Sequence, residues 1–327
     1  MKLKDFLNEK EMETALEIYG EEGLKLRELG IDKHKKLEDG SYECWGDFEG
    51  NPNDIPFKIK IFHGDFNCSN QELQYLDGCP EIVNGNFNCS KNKLKSLKNC
   101  PKIINGNFDC SRNNLLSLEE GPNNVSGNFN CRRNKLKSLK GSPKIIYLNF
   151  NCSSNKLSSL KDGPKKVLRE FNCSNNKNLI SLKYMPTMSF DGNFDCSGCN
   201  LTSLKGCSRI VNGSFNCSFN NLKSIEDAPK KVLREFNCSF NKTLTSLKGI
   251  PKLGEKGVFI CSYCDLKSLK GCPKIIEGSF NCSNNKLKSL EGFPEIIKGN
   301  FNCSNNTKKF TKKEILLKCY IEGRIEV

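Results

Sequence analysis

The sequence predicts an α/β solenoid dominated by parallel β-structure, about twelve turns long and closed by helical caps. Three observations predict it. A unit of 21 residues recurs along most of the 327-residue chain. Each unit holds an alternating Phe-x-Cys string that reads as one face of a short strand. No single unit can bury that face alone, whereas stacked copies bury it against one another in parallel strands.

The repeat is anchored on Cys68, Cys89, Cys110, Cys131, Cys152, Cys173, Cys196, Cys217, Cys238, Cys261, Cys282 and Cys303. Steps are 21 residues except for steps of 23 after Cys173 and after Cys238. A phenylalanine stands two positions before every one of them, from Phe66 to Phe301. Three positions after the cysteine there is usually an asparagine, as at Asn92, Asn113, Asn134 and Asn155. Its amide is expected to turn inward and satisfy backbone groups where the chain leaves the strand. Leucines usually follow at plus five and plus eight, and a proline turn such as "GCPKII" closes the unit. Block 152–216 matches block 217–281, including both 23-residue units, which reads as a duplication.

The pattern Phe-x-Cys-x-x-Asn-x-Leu-x-x-Leu resembles the leucine-rich repeat, with Phe and Cys in the two strand positions. The 21-residue length is similar to the short bacterial type found in secreted effector proteins. The resemblance covers residues 45–308 and implies a leucine-rich-repeat horseshoe. The flavour of strings such as "GNFNCSNNKLKSL" also resembles repeat proteins encoded by large tailed phages and giant viruses, which implies no activity.

The ends are expected to cap the stack. Residues 1–44 form the amino-terminal cap, helical to about residue 38, with Leu3, Phe6, Leu7, Met12, Ala15, Leu16 and Tyr19 near helical spacing. "SYECWGDFEG" and "FKIKIF" enter the sheet as irregular first turns, and Trp45 packs in the cap. Residues 309–327 form the other cap. Thr311 and Glu314 make a capping box, Phe310 and Ile315 the matching hydrophobic staple, and "RIEV" adds a last strand.

Cysteine is a small, readily buried side chain, and core filling is its expected role. The charged start of the chain does not read as a signal peptide. Together with eight Asn-Cys-Ser strings, which a secretory route would expose to glycosylation, it points to a reducing cytoplasm and free thiols (the host cytoplasm if the protein is viral). "CSGC" (Cys196, Cys199) and "CSYC" (Cys261, Cys264) look like zinc half-sites, but Cys199 and Cys264 fall in the asparagine register and the two pairs lie three repeats apart. Cys79 and Cys100 are expected as stacked neighbours. No metal and no cofactor is implied, and no apolar run is long enough to cross a membrane.

Net charge is +14, unevenly spread: residues 1–60 hold 10 basic and 15 acidic side chains, and residues 61–327 hold 41 and 22. The column two after each cysteine varies most. Lys91, Arg112 and Arg133, with Arg132 beside them, form a basic stripe. Phe219, Phe240 and Tyr263 form an aromatic stripe, and Ile260 replaces the usual asparagine on the adjacent strand face. The rings either form an exposed interaction patch or fold over the strand edge as extra core. Lys93, Lys135, Lys156, Lys177, Lys242 and Lys286 line a rim four after the cysteine. Glu170 and Glu235, each preceded by arginine, interrupt an otherwise neutral face. With two histidines, both outside the regular array, and no phosphate loop or nucleophile motif, an enzyme is not expected. The expected function is a monomeric protein-binding scaffold working through the concave face and its edge. The alternative is electrostatic binding of nucleic acid or another polyanion by the basic stripe and lysine rim.

Overall fold

The structure, a computed structural model, describes residues 9–188 and 192–327. It is a parallel-β solenoid of about thirteen turns with few helices. The chain divides into two compact units, one reaching Lys135 and including Gly141–Pro143, the other comprising Leu136–Lys140 and residues 144–327.

In the first unit the Phe-x-Cys strands pair in parallel through Phe48↔Phe66, Phe66↔Phe87, Phe87↔Phe108 and Phe108↔Phe129. A second sheet, on the returning half of each turn, runs from strand Lys33–Lys36 through Ile103–Ile104 to Asn124–Val125. In the second unit the same pairing carries Phe150 to Phe301, and Ile325 then takes the phenylalanine register. Its returning strands form three short sheets of three strands each.

Side chains explain this regularity. The phenylalanines are buried and stack ring to ring, with centroids 5.2–5.9 Å apart between successive rings from Phe150 to Phe301. The strand cysteines are also buried, and several do more than fill space. Cys152 and Cys217 donate their S–H to the backbone carbonyls of Asn172 and Asn237 on the next strand, at 3.4 and 3.3 Å. Cysteine therefore combines small volume with a weak donor aimed along the stack.

The inward asparagines bind two turns together. Asn92 donates to the Cys68 and Cys89 carbonyls and accepts from the Gln71 and Leu73 amides, all at 2.9–3.1 Å. Asn113 and Asn220 repeat the arrangement. The carboxamide thus satisfies buried backbone groups that no strand ladder reaches.

The amino-terminal cap departs from the expected long helix. Helix α1 runs Glu9–Glu28 and is interrupted at Gly20 (φ 66, ψ 171). Residues 33–36, expected to be helical, form a strand antiparallel to Tyr42–Trp45. Gly30 causes the change: its φ is +76, and a Cβ there would collide with the Asp47 carbonyl oxygen, so only glycine lets the chain drop onto the first turn. Leu24, Leu26 and Ile31 bury at this junction, while Leu16 is exposed; Leu3, Phe6 and Leu7 lie outside the described residues. Trp45 stacks on His63, with centroids 4.8 Å apart.

At the other end helix α2 spans Lys312–Leu316 with both capping-box bonds formed between Thr311 and Glu314, over buried Phe310 and Ile315. The strand Ile325–Glu326 follows. Among the described residues no helix is long and apolar enough to cross a membrane.

Two predictions follow from this core. Phe215→Ala should cost about 3–5 kcal/mol, read as a lower urea midpoint, because the ring is fully buried between two others. Stability should also fall with alkali. Burial pushes the Cys44, Cys207 and Cys272 thiols up to about 12. Unfolded thiols ionise near ~8.5, so the unfolded state releases protons first and the contribution, complete below that pH, declines as pH climbs toward the folded values. Urea midpoints measured from about pH 7 to about pH 10, a window that crosses the unfolded thiol value and stays below the folded ones, should be level at first and then drop; a level profile throughout would contradict the assignment.

Candidate functional site

The variable column two after each cysteine has a backbone property of its own. All twelve positions, from Asn70 to Asn305, have φ between 54° and 63°. This left-handed conformation turns the chain so that the next residue, usually the ladder asparagine, points inward. Asparagine or glycine adopts it at little cost, and Asn70, Asn175, Gly198, Asn284 and Asn305 do so here. A bulky side chain there carries strain of about 1–3 kcal/mol. Side chains at these positions also leave the sheet face and project outward, which makes the column a display row.

Phe219, Phe240 and Tyr263 occupy three successive places in that row. Their rings stack nearly parallel, with centroids 4.1 and 4.5 Å apart and interplanar angles of 9° and 7°. Phe219 is 56% exposed and Tyr263 44%, and Phe240 between them is half-buried. The rings are therefore an exposed stack rather than extra core. Ile260, half-buried, lies on the strand that pairs Asn237 on one side and Asn281 on the other. Mutual stacking contributes roughly 0.5–1.5 kcal/mol per pair, which partly offsets the backbone strain.

Lys91, Arg112 and Arg133 occupy the same row in the first unit, and all three are exposed. Arg132 stands in a register held elsewhere by buried serines such as Ser90 and Ser111, and is itself half-buried. Its Nε is buried without a hydrogen-bond partner.

The neighbouring polar columns are largely committed within the chain. The outward asparagine before each cysteine accepts from the backbone amide two residues on, as Asn88 does from Ser90 and Asn172 from Ser174, both at 3.0 Å. One column earlier, Asn107 donates to Asn86, and Asn128 to Asn107, each at 2.8 Å. The neutral face thus has fewer free acceptors than its composition implies. In the lysine rim, Lys93 pairs with Glu72 and Lys286 with Asp265. His63, one of the two histidines, contacts Glu43 through Nε2 and Asn84 through Nδ1.

The two CxxC strings have a structural explanation. Each 23-residue unit carries an extra residue before its first leucine, and the leucine amide finds an acceptor inside its own turn: Leu179 N–H donates to Asn176 O, and Leu244 N–H to Asn241 O, both at 2.9 Å. The next turn then needs no side-chain acceptor in the ladder register, only a donor. Cys199 and Cys264 supply it, donating to the Cys173 and Cys238 carbonyls at 3.5 and 3.2 Å. Among the described residues no group of three or more metal-binding side chains occurs. Cys100 is buried and Cys79 half-buried, both beside a cleft of about 1010 Å³ in the first unit that also involves Ile55, Phe57 and Ile82.

No protein-family model and no curated protein matches the chain. Among solved structures it is similar to YopM from Yersinia enterocolitica WA-314, with a TM-score of 0.53 and 21% identity over 80% of this chain and 63% of that one. The chain thus spans less than two thirds of that protein's length. This likeness concerns the fold, and the fold is of the leucine-rich-repeat type.

Replacing Phe219, Phe240 and Tyr263 together by asparagine should leave stability unchanged or raise it, because relief of backbone strain at three positions matches or exceeds the stacking lost from two ring pairs. Urea unfolding measures this; a loss comparable to Phe215→Ala would mean the rings belong to the core.

Proposed function

We propose that the protein is a non-enzymatic scaffold that binds a protein partner through its display row. The observation that carries this reading is the exposed aromatic stack at positions where the backbone favours asparagine or glycine. Large aromatic side chains held in strained, exposed places fit an anchoring role, since such residues dominate binding energy at interfaces. Lys91, Arg112, Arg132 and Arg133 add a cationic surface that steers and orients an acidic partner. Ile260 adds apolar contact near the rings. The twenty cysteines are thiols rather than disulfides, seventeen of them buried, which suits a reducing, cytoplasmic setting; the protein is taken to act as a monomer.

A second reading takes the basic stripe as a binding site for nucleic acid or another polyanion. The exposed cations Lys91, Arg112 and Arg133, on three successive turns of the row, favour it, because they offer a line of charge to phosphates. Pairing of Lys93 and Lys286 with neighbouring carboxylates weakens the regular lysine track on which this reading also depends.

Capture experiments with nuclease, at low and moderate salt, separate the two. A protein partner retained by the native chain and lost by Phe219→Ser/Phe240→Ser/Tyr263→Ser, with the fold intact, is the expected result. Binding that survives those changes but disappears with salt, or with Lys91→Ala/Arg112→Ala/Arg133→Ala, would replace it with the polyanion reading.

A further inference from the structure

Strand Val258–Ile260 breaks the polar pattern of its sheet at both outward positions. They carry valine and isoleucine, both half-buried, where the turn before has Glu235 and Asn237 and the turn after has Ser279 and Asn281. The exposed Tyr263 belongs to the same turn. A cleft of about 540 Å³ extends from Val258 over the following strands, past Asn281 and Asn300, to Arg324 and Glu326. The amides along it are committed. Asn281 accepts from the Ser283 amide at 3.0 Å and Asn300 from the Arg324 amide at 2.9 Å, while Asn302 donates to Glu326. Arg324 is exposed, and its side chain forms no ion pair with a described residue. The cleft thus has an apolar end, a cationic end and little unsatisfied polarity between them.

We infer that this cleft takes an extended segment of a protein partner, with an aliphatic side chain on Val258 and Ile260 and an Asp or Glu side chain on Arg324. This rests on the scaffold reading and gives the partner a chemistry. Register fixes the spacing. Val258, Ser279, Asn300 and Arg324 share one column over successive paired strands. Three strand spacings, roughly 14 Å, therefore separate its ends. An extended chain advances ~3.3 Å per residue, so about four residues cover that distance. Side chains four apart on an extended chain point to one side, as two contacts with one surface require. In a helix the same two residues would stand only ~6 Å apart. The charge of Arg324 selects a carboxylate, and burial of an aliphatic side chain on Val258 and Ile260 supplies the hydrophobic gain. A nucleic-acid strand does not suit the cleft, because Glu235 and Glu326 on the same face oppose its phosphates and outnumber Arg324.

The test is fluorescence polarisation of the full chain with a fluorescein-labelled peptide containing Leu-Thr-Ser-Thr-Glu, and with the same residues reordered as Leu-Thr-Thr-Glu-Ser, which puts the two key side chains on opposite sides. Saturable binding of the first peptide is expected, reduced about tenfold by Val258→Ser/Ile260→Asn and about tenfold by Arg324→Glu. Replacing the peptide's Glu by Lys should restore binding to Arg324→Glu. Serine and asparagine hold the same two places in the next turn, so Val258→Ser/Ile260→Asn keeps residue types that this sheet accepts. Thermal unfolding checks that each variant is folded, and the exposed Arg324→Glu serves if the double variant misfolds. No binding to the native chain, equal binding of both peptides, or unchanged affinity in both variants would overturn the inference. A captured protein partner that is lost on Phe219→Ser/Phe240→Ser/Tyr263→Ser but retained by Val258→Ser/Ile260→Asn and by Arg324→Glu would reject the cleft while leaving the scaffold reading standing.

Discussion

The buried carboxamide ladder is the constraint on which the rest of the molecule depends. Each turn leaves its strand abruptly, and the backbone groups at that exit face the interior, where water cannot reach them. One asparagine per turn donates to two carbonyls and accepts from amides of the preceding turn. An unmet group of this kind would cost about 1–3 kcal/mol. The ladder therefore sets the stacking register as strongly as the phenylalanine column does. It also forces the residue before each asparagine into the left-handed region, because only that geometry aims the asparagine inward.

The same constraint accounts for the apparent exceptions. Where a turn is lengthened by an extra residue, its leucine amide is satisfied locally, and the next ladder place needs a donor alone. Cysteine meets that need at Cys199 and Cys264. The resulting CxxC strings look like metal motifs in one dimension, whereas in three dimensions each is a strand thiol followed by a ladder thiol. Duplication of the block copied both features together.

The proposed function rests on the row that the ladder pushes outward. Its backbone conformation is uniform, so its side chains are free to differ. The same displayed geometry carries cations in one unit and stacked rings in the other. The columns on either side are occupied by amides bonded to one another or to the backbone, which leaves the row as the most available chemistry on that surface.

Much of this was legible in the sequence. The repeat, the inward asparagine, the capping box at Thr311 and the two stripes all follow from spacing, because a solenoid converts sequence period directly into spatial columns. Less was legible where the period is broken. The amino-terminal helix stops early because Gly30 passes close to Asp47, a contact between segments far apart in the repeat pattern. The left-handed row had a signal, the recurrent asparagine and glycine two after the cysteine, but its meaning depends on where the ladder points. The order of residues within the repeat by itself determined which of them share a column, because the period sets the columns. Only the tertiary structure decided that three of them form an exposed ring stack, because exposure and ring contact depend on the φ angle at each position.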